Sequence, residues 1–377
     1  MDFTFTEEQQ AAVEAAKAVF SGVAPDAVPS PALTPGAVSE DLDRPLWSRL
    51  AAADLLSLVI SPAYGGGGLD PVALCLVLRE SARVLARVPL LETGAVAMTV
   101  ERYAPREKAA DLLPRVARGE LVLTAASQGR TGHDPAERAV TARRDGTTWI
   151  LDGLQTAVPW AHGADLVAVP AHTPEGNTVL ALLPRTHDGL ALTAQYSTSG
   201  ELLAELTLDS VRLDDADVID AEGAWEWLRQ LLTTGTCALA LGLGEAVLTM
   251  TSQYTGKREQ FGHPVATFQA VAVQAADRYI DLRAMEATLW QAAWRLASGA
   301  EGALPAAGDI AVAKIWASEG VRRVVQTAQH LHGGFGADTD YPLHRYHAWA
   351  KHLELSLGPA AAHEDALGDL LAAHPLG

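Results

Sequence analysis

Arg258-Glu259-Gln260-Phe261-Gly262, then Phe268-Gln269, then His330-Leu331-His332-Gly333-Gly334-Phe335-Gly336, and finally Leu357-Gly358 form an ordered series in the last third of the chain. The segments between them are helical by pattern. After Pro264, residues Phe268, Ala272, Ala275, Tyr279, Leu282, Met285, Leu289, Ala292 and Leu296 follow at three- or four-residue steps, which marks one face of a long helix. Pro305 and Gly308 end a linker, and a second helix is predicted over residues 310–331. Alone, the glycine run 333–336 is a weak nucleotide signature, because no strand precedes it. Its weight comes from position: Gly333 stands 75 residues after Arg258, whose planar fork of donors suits a phosphate.

Outward from that region the pattern changes. Between residues 121 and 213, short apolar runs alternate with turn signals. Runs at 139–142 and 148–151 flank Asp145-Gly146, a dipeptide suited to a tight hairpin because glycine tolerates positive φ. Further strands are predicted at 166–169, 179–183 and 203–208. Before residue 117, helices are divided by Pro25, Pro29, Pro31 and Pro35 and again by Gly65-Gly66-Gly67-Gly68, which reads as a structural turn because no Gly-Lys-Ser/Thr follows. The expected fold class is α+β: a helical domain over residues 1–119, a middle β-barrel or sandwich over 120–222, and a four-helix bundle over 223–377.

Composition narrows the function. With 46 acidic against 28 basic residues the formal charge is -18, which argues against a nucleic-acid partner. Cys75 and Cys237 are too few for a disulfide framework, and the start at Met1-Asp2 with Glu7-Glu8 lacks the basic and apolar regions of an export signal, so the cytoplasm is expected. The Ala/Leu-rich stretch 236–248 is short and contains Glu245; a buried core helix is expected there, and no membrane span. Six histidines lie between His330 and His363, but no carboxylate or cysteine completes a ligand spacing, so no metal is expected.

The α, β, α order and the motif series together resemble the acyl-CoA dehydrogenases over essentially the whole length. Two further stretches carry the resemblance: Leu50-Ala51-Ala52 leading to Ser61-Pro62-Ala63-Tyr64-Gly65-Gly66, and Trp149-Ile150-Leu151-Asp152-Gly153. In that family FAD lies on the middle domain of one subunit while its adenine and pyrophosphate reach the C-terminal bundle of a neighbour. A glutamate takes the α-proton of an acyl-CoA, and flavin N5 takes the β-hydride. The resemblance implies that Arg258 approaches the pyrophosphate, that Phe261 and Phe268 pack on the dinucleotide, and that Gln269 hydrogen-bonds it. It also places His330 where glutamine is usual, and Gly333-Gly334 where backbone N–H groups come close to the cofactor.

The other half of such a site departs from the family. Where a Glu-Pro-Gly-Ala-Gly-Ser-Asp type of loop is usual, this chain has Ala126-Ser127-Gln128-Gly129-Arg130-Thr131-Gly132-His133-Asp134. Where Trp-Ile-Thr or Trp-Ile-Ser lines the flavin ring, it has Ala157-Val158-Pro159, and proline offers no N–H. The usual base positions fall on Leu357 and on Leu232, and leucine takes no proton. Glu226, six residues before Leu232, points about 240° away on a helix of ~100° per residue. Glu354 lies one turn before Leu357.

These losses resemble the base-lacking chain of the heteromeric acyl-CoA dehydrogenases of actinobacterial steroid side-chain degradation, as does Tyr341-Pro342-Leu343-His344-Arg345-Tyr346. There two related chains form an α2β2 tetramer with FAD only at the α/β interfaces. The resemblance implies a non-catalytic subunit that completes the FAD site of a homologous catalytic chain, with a steroid acyl-CoA as substrate and an electron-transfer flavoprotein as acceptor. Two other readings stay open: a self-sufficient flavoenzyme using Glu354, and a flavin-free scaffold of the same fold.

Overall fold

In the computed structural model, residues 4–25, 38–39, 42–131 and 139–375 are described. Five helices come first: α1 (Glu7–Phe20), α2 (Arg44–Ala52), α3 (Pro71–Ala82), α4 (Leu90–Tyr103) and α5 (Arg106–Ala117). Their starts are written in the sequence. The Thr6 hydroxyl and the Gln9 amide cap each other's backbone at α1, while Asp43 and Asp70 accept from the first turns of α2 and α3. The glycine run after α2 is a structural turn. A Cβ on Gly66 would stand 2.1 Å from the Ile60 carbonyl oxygen, a contact that only glycine avoids.

Eight strands follow: β1 (Leu123–Ala125), β2 (Val140–Asp145), β3 (Thr148–Pro159), β4 (Leu166–His172), β5 (Thr178–Pro184), β6 (Leu190–Tyr196), β7 (Leu202–Asp214) and β8 (Val218–Ile219). They form one sheet in the order β6-β7-β3-β2-β4-β5-β8, with β1 parallel to β4. Asp145 pairs with Thr148 across the predicted hairpin. β2 and β4 share a single register pair, Thr141 with His172, so two half-sheets are joined at a narrow seam. Both contribute to one core, in which Val140, Leu151, Val169, Leu183 and Leu206 are buried.

The chain then returns to helix with α6 (Ala224–Lys257), a two-residue hairpin of β9 (Glu259–Gln260) and β10 (His263–Pro264), α7 (Gln269–Ser298), α8 (Ala306–His332), α9 (Leu343–Leu355) and α10 (Ala360–Ala373). The buried core helix expected at 236–248 lies within α6, which by length and composition alone would also pass for a membrane span. It runs 34 residues with a window of mean hydropathy 1.6, and 78% of that window is buried within the protein, the setting of a core helix. Glycine makes this possible. A Cβ on Gly242 would lie 2.0 Å from the Arg79 carbonyl oxygen, so the backbones of α6 and α3 touch there. Gly242→Ala is therefore expected to cost about 2–3 kcal/mol, measured by denaturant unfolding, because neither helix can retreat from a packed core.

The long face expected on α7 is only half used. Leu282, Met285, Leu289, Ala292 and Leu296 are buried, whereas Tyr279 is 58% exposed beside Ile280 and Val273. The first three turns are only partly covered by this chain, with Val271, Gln274, Ala275 and Arg278 half-buried and Arg278 donating to the Thr327 hydroxyl of α8.

Candidate functional site

The predicted cofactor-binding residues converge on one end of the helical bundle. Backbone hydrogen bonding of α6 ends as the Arg258 N–H donates to the Tyr254 carbonyl, and β9 and β10 turn back through Phe261 and Gly262, both at positive φ. That turn projects Phe261, 91% exposed, with Phe268 edge-on to it at a ring distance of 6.3 Å. Arg258 is exposed too and forms no ion pair among the described residues. Gln269 opens α7. A phenylalanine held at φ 54° in open solvent is doubly unfavourable, through backbone strain and through exposed apolar surface.

Four aromatic rings bolt this hairpin to the end of α8. Tyr254 stacks on His332 at 4.3 Å and on Phe335 at 5.3 Å, while the Tyr341 hydroxyl meets His332 Nε2 at 2.9 Å. His332 Nδ1 donates to the Ala328 carbonyl, and burial holds its pKa below the usual imidazole range. The stack brings the helix end carrying Arg258 beside the one carrying Gly333 and Gly334. Gly333 has φ 60° and ψ -141°, a conformation reserved for glycine, and nothing stands within 4 Å of where a Cβ on Gly333 or Gly334 would be. His330 is exposed, two residues before the buried His332 and so on the other face of α8.

The departures from the family pattern meet elsewhere, in a cavity of about 450 Å³ between α3, α4, β3, β7, α6 and α9. Leu232 and Leu357, both buried, lie in its wall with Ala157 and Pro159. Leu357 has φ 60°, and its corner is held firmly. The His363 Nε2–H donates to the Leu357 carbonyl at 2.9 Å, and the buried Lys314 ammonium donates to the carbonyls of Leu353 and Glu354 at 3.2 and 3.0 Å. Glu354 does not share this cavity. Its carboxylate lies 3.0 Å from Lys351 and lines a neighbouring hollow with Arg322, His344 and His347. Glu226 is bound to Arg229 and Gln230, outside the cavity.

Hydrogen bonding along the β3 edge of the cavity is self-contained. Gln195 Oε1 accepts from the Ala157 N–H at 2.8 Å, and its amide donates to the Thr156 hydroxyl at 2.9 Å. Gln155 Oε1 accepts from the Gly129 N–H at 2.9 Å, and the Gly129 carbonyl accepts from the Thr156 N–H at 2.8 Å. The Gly129, Thr156 and Ala157 N–H groups along this edge are thus all hydrogen-bonded within the chain. The Gly132-His133-Asp134 end of the loop lies outside the described residues.

Sequence reasoning missed the titratable groups around the cavity. Glu92, in the first turn of α4, has its carboxyl raised to about 7 by desolvation, against the lowering effect of its own backbone N–H and of the neighbouring Trp160 indole. His352 and His363 are held down to about 4, mainly by burial, and Lys314 is lowered to about 8 for the same reason. A raised carboxyl stabilises the fold fully below its unfolded value near 4.5, and that contribution is lost as pH rises through about 7. Glu92→Gln should therefore gain on the wild type by about 1–3 kcal/mol between pH 5 and pH 8. Paired urea melts at the two pH values measure this, and a constant offset would show an ordinary carboxylate. Among the described residues, no three His, Cys, Asp or Glu side chains gather as metal ligands.

Comparison with known proteins accounts for both ends of the chain. The acyl-CoA dehydrogenase N-terminal domain profile matches residues 6–120, and the C-terminal domain profile matches residues 231–371. Acyl-CoA dehydrogenase FadE27 of Mycobacterium tuberculosis is 36% identical over 343 residues, 90% of this chain and 91% of the relative. A chain of the ChsE4-ChsE5 complex from Mycobacterium tuberculosis superposes with a TM-score of 0.91 at 34% identity, covering 100% of both chains. A chain of the Tcur3481-Tcur3483 steroid ACAD gives 0.89 at 38% identity, covering 97% and 98%. This chain belongs to the acyl-CoA dehydrogenase family, oxidoreductases that generally bind FAD.

Proposed function

We propose that this chain is the non-catalytic partner subunit of a FAD-dependent acyl-CoA dehydrogenase, and that it completes the FAD site of a homologous catalytic chain. The observation that carries the proposal is an asymmetry. Arg258, Phe261, Phe268, Gln269, His330 and Gly333-Gly334 are presented outward with few contacts among the described residues, whereas the chain's own ring-side edge is closed by Gln195 and Gln155. Both usual base positions are leucines in an apolar wall.

Bound FAD would supply the hydride acceptor. The chain's own residues would hold it: the Arg258 fork and the open backbone at Gly333-Gly334 on the phosphates, the two phenylalanines on the adenine side, and Gln269 and His330 as polar contacts. A steroid acyl-CoA is the proposed substrate, supported by likeness to the Tcur3481-Tcur3483 steroid ACAD, with an electron-transfer flavoprotein as acceptor in the cytoplasm. Glu354 as a displaced base is disfavoured by its pairing with Lys351 outside the cavity.

Co-expression with a homologous chain that carries the glutamate tests the proposal. A yellow heterotetramer with about one flavin per pair of chains is expected, and a colourless product from this chain alone. A flavin-loaded homotetramer would sink the reading, and a flavin-free complex would favour a scaffold.

A further inference from the structure

The cavity beside Leu232 and Leu357 needs its own explanation. Protein interiors pack with few voids larger than a water molecule, and a site that had merely lost its ligand has no reason to keep one open. Here about 450 Å³ persists, walled by Leu78, Val88, Leu91, Leu232, Leu239 and Leu357. Both positions where the family uses a carboxylate add apolar surface to that wall instead.

Two carboxyls line the cavity, Glu92 and Glu201, and Glu201 is already paired with Arg87 and the Ser39 hydroxyl. Glu92 sits deep in the fold, keeps part of its surface open, and has its own backbone N–H and the Trp160 indole as neighbouring donors. The backbone that delivers Trp160 is strained: Ala157 and Trp160, three residues apart at the end of β3, both have positive φ, at 51° and 59°. Such strain persists only where the surroundings over-determine it, and it clusters at ligand sites. A desolvated carboxylate with only these two donors leaves acceptor capacity unused. Flavin is a poor candidate, because Gln195 already accepts from the Ala157 N–H along β3.

We infer that this cavity is a binding site of the chain's own, separate from the shared flavin site, for an uncharged, mainly apolar ring molecule whose hydroxyl donates to Glu92. Apolar walls supply affinity, and the buried acceptor supplies selectivity for an alcohol over the matching hydrocarbon. The inference stands on this chain's cavity alone, so it survives or fails independently of the heterotetramer reading.

The test uses the isolated full chain at pH 8, 9-phenanthrol and phenanthrene as probes, and quenching of the cavity tryptophans Trp160 and Trp349 as readout. Saturable one-to-one binding of phenanthrol, about tenfold tighter than phenanthrene, is expected. Glu92→Leu should bring the two affinities within about threefold while keeping the hydrocarbon's. Leu239→Trp, which fills the space from α6 and leaves Glu92 in place, should abolish both and serves if the first variant fails to fold. Absence of saturable quenching in the wild type overturns the inference. So does equal affinity for the two probes, or selectivity that Glu92→Leu leaves unchanged.

Discussion

Leu357→Glu, which restores the family's usual base, is expected to leave the isolated chain inactive and to lower its stability by about 3–5 kcal/mol at pH 8. The magnitude comes from the same cavity. Glu92, already there, has its carboxyl raised from 4.5 to about 7, so ionising a second acid in that wall costs roughly 3 kcal/mol. Losing the buried leucine surface adds about 1–2 kcal/mol. The corner cannot easily turn the new side chain outward, because Lys314 and His363 hold its carbonyls. Urea unfolding at pH 8 should show the full loss, and at pH 5, where the new acid is protonated, most of the ionisation cost should vanish. Activity is not expected to return, since removal of the α-proton by a base yields no enoyl product unless a flavin takes the substrate's β-hydride. Enoyl-CoA formation by the isolated variant would overturn this account.

The parts of the molecule legible in the sequence are those set by local pattern. The α7 and α8 periods, the Asp145-Gly146 turn and the runs that became β4, β5 and β7 all declare themselves within a dozen residues. β6 does not, because beyond Leu190 and Leu192 its residues are alanine, threonine, glutamine and tyrosine on a largely exposed edge that pairs only with β7. Arg258 and Gly333-Gly334 stood out in the sequence only through their spacing and the family resemblance, since neither motif is specific alone. Glu92 did not: an acidic residue in the first turn of a helix is ordinary dipole chemistry, and only tertiary structure places it in a cavity. Gln195 is illegible for a related reason, since its carbonyl reaches Ala157 across an intervening strand. Lys314 did carry a signal. It falls on the apolar face of α8 with Ile310, Ala317 and Val321, where a lone lysine must find internal acceptors.

Arg258→Ala in the assembled complex is expected to weaken FAD retention about 10–100-fold, the worth of a charge-assisted contact of 1.5–3 kcal/mol, while leaving the chain's fold intact. Arg258 is exposed and unpaired among the described residues, so its removal breaks nothing internal. Flavin released on dilution, read by fluorescence, separates this from a folding defect, and unchanged retention would remove Arg258 from the site. Phe261 allows a sharper discrimination, because its two effects have opposite signs. At φ 54° and 91% exposed it strains the turn and covers nothing in its own chain, so Phe261→Gly should stabilise the isolated subunit by about 1 kcal/mol. The same change removes an aromatic ring proposed to pack on the dinucleotide and should weaken FAD retention in the complex. A residue kept only for the fold would lower both quantities on substitution, and an idle surface residue would change neither. Opposite movement of the two is the signature of a side chain held under strain for a ligand shared with another subunit.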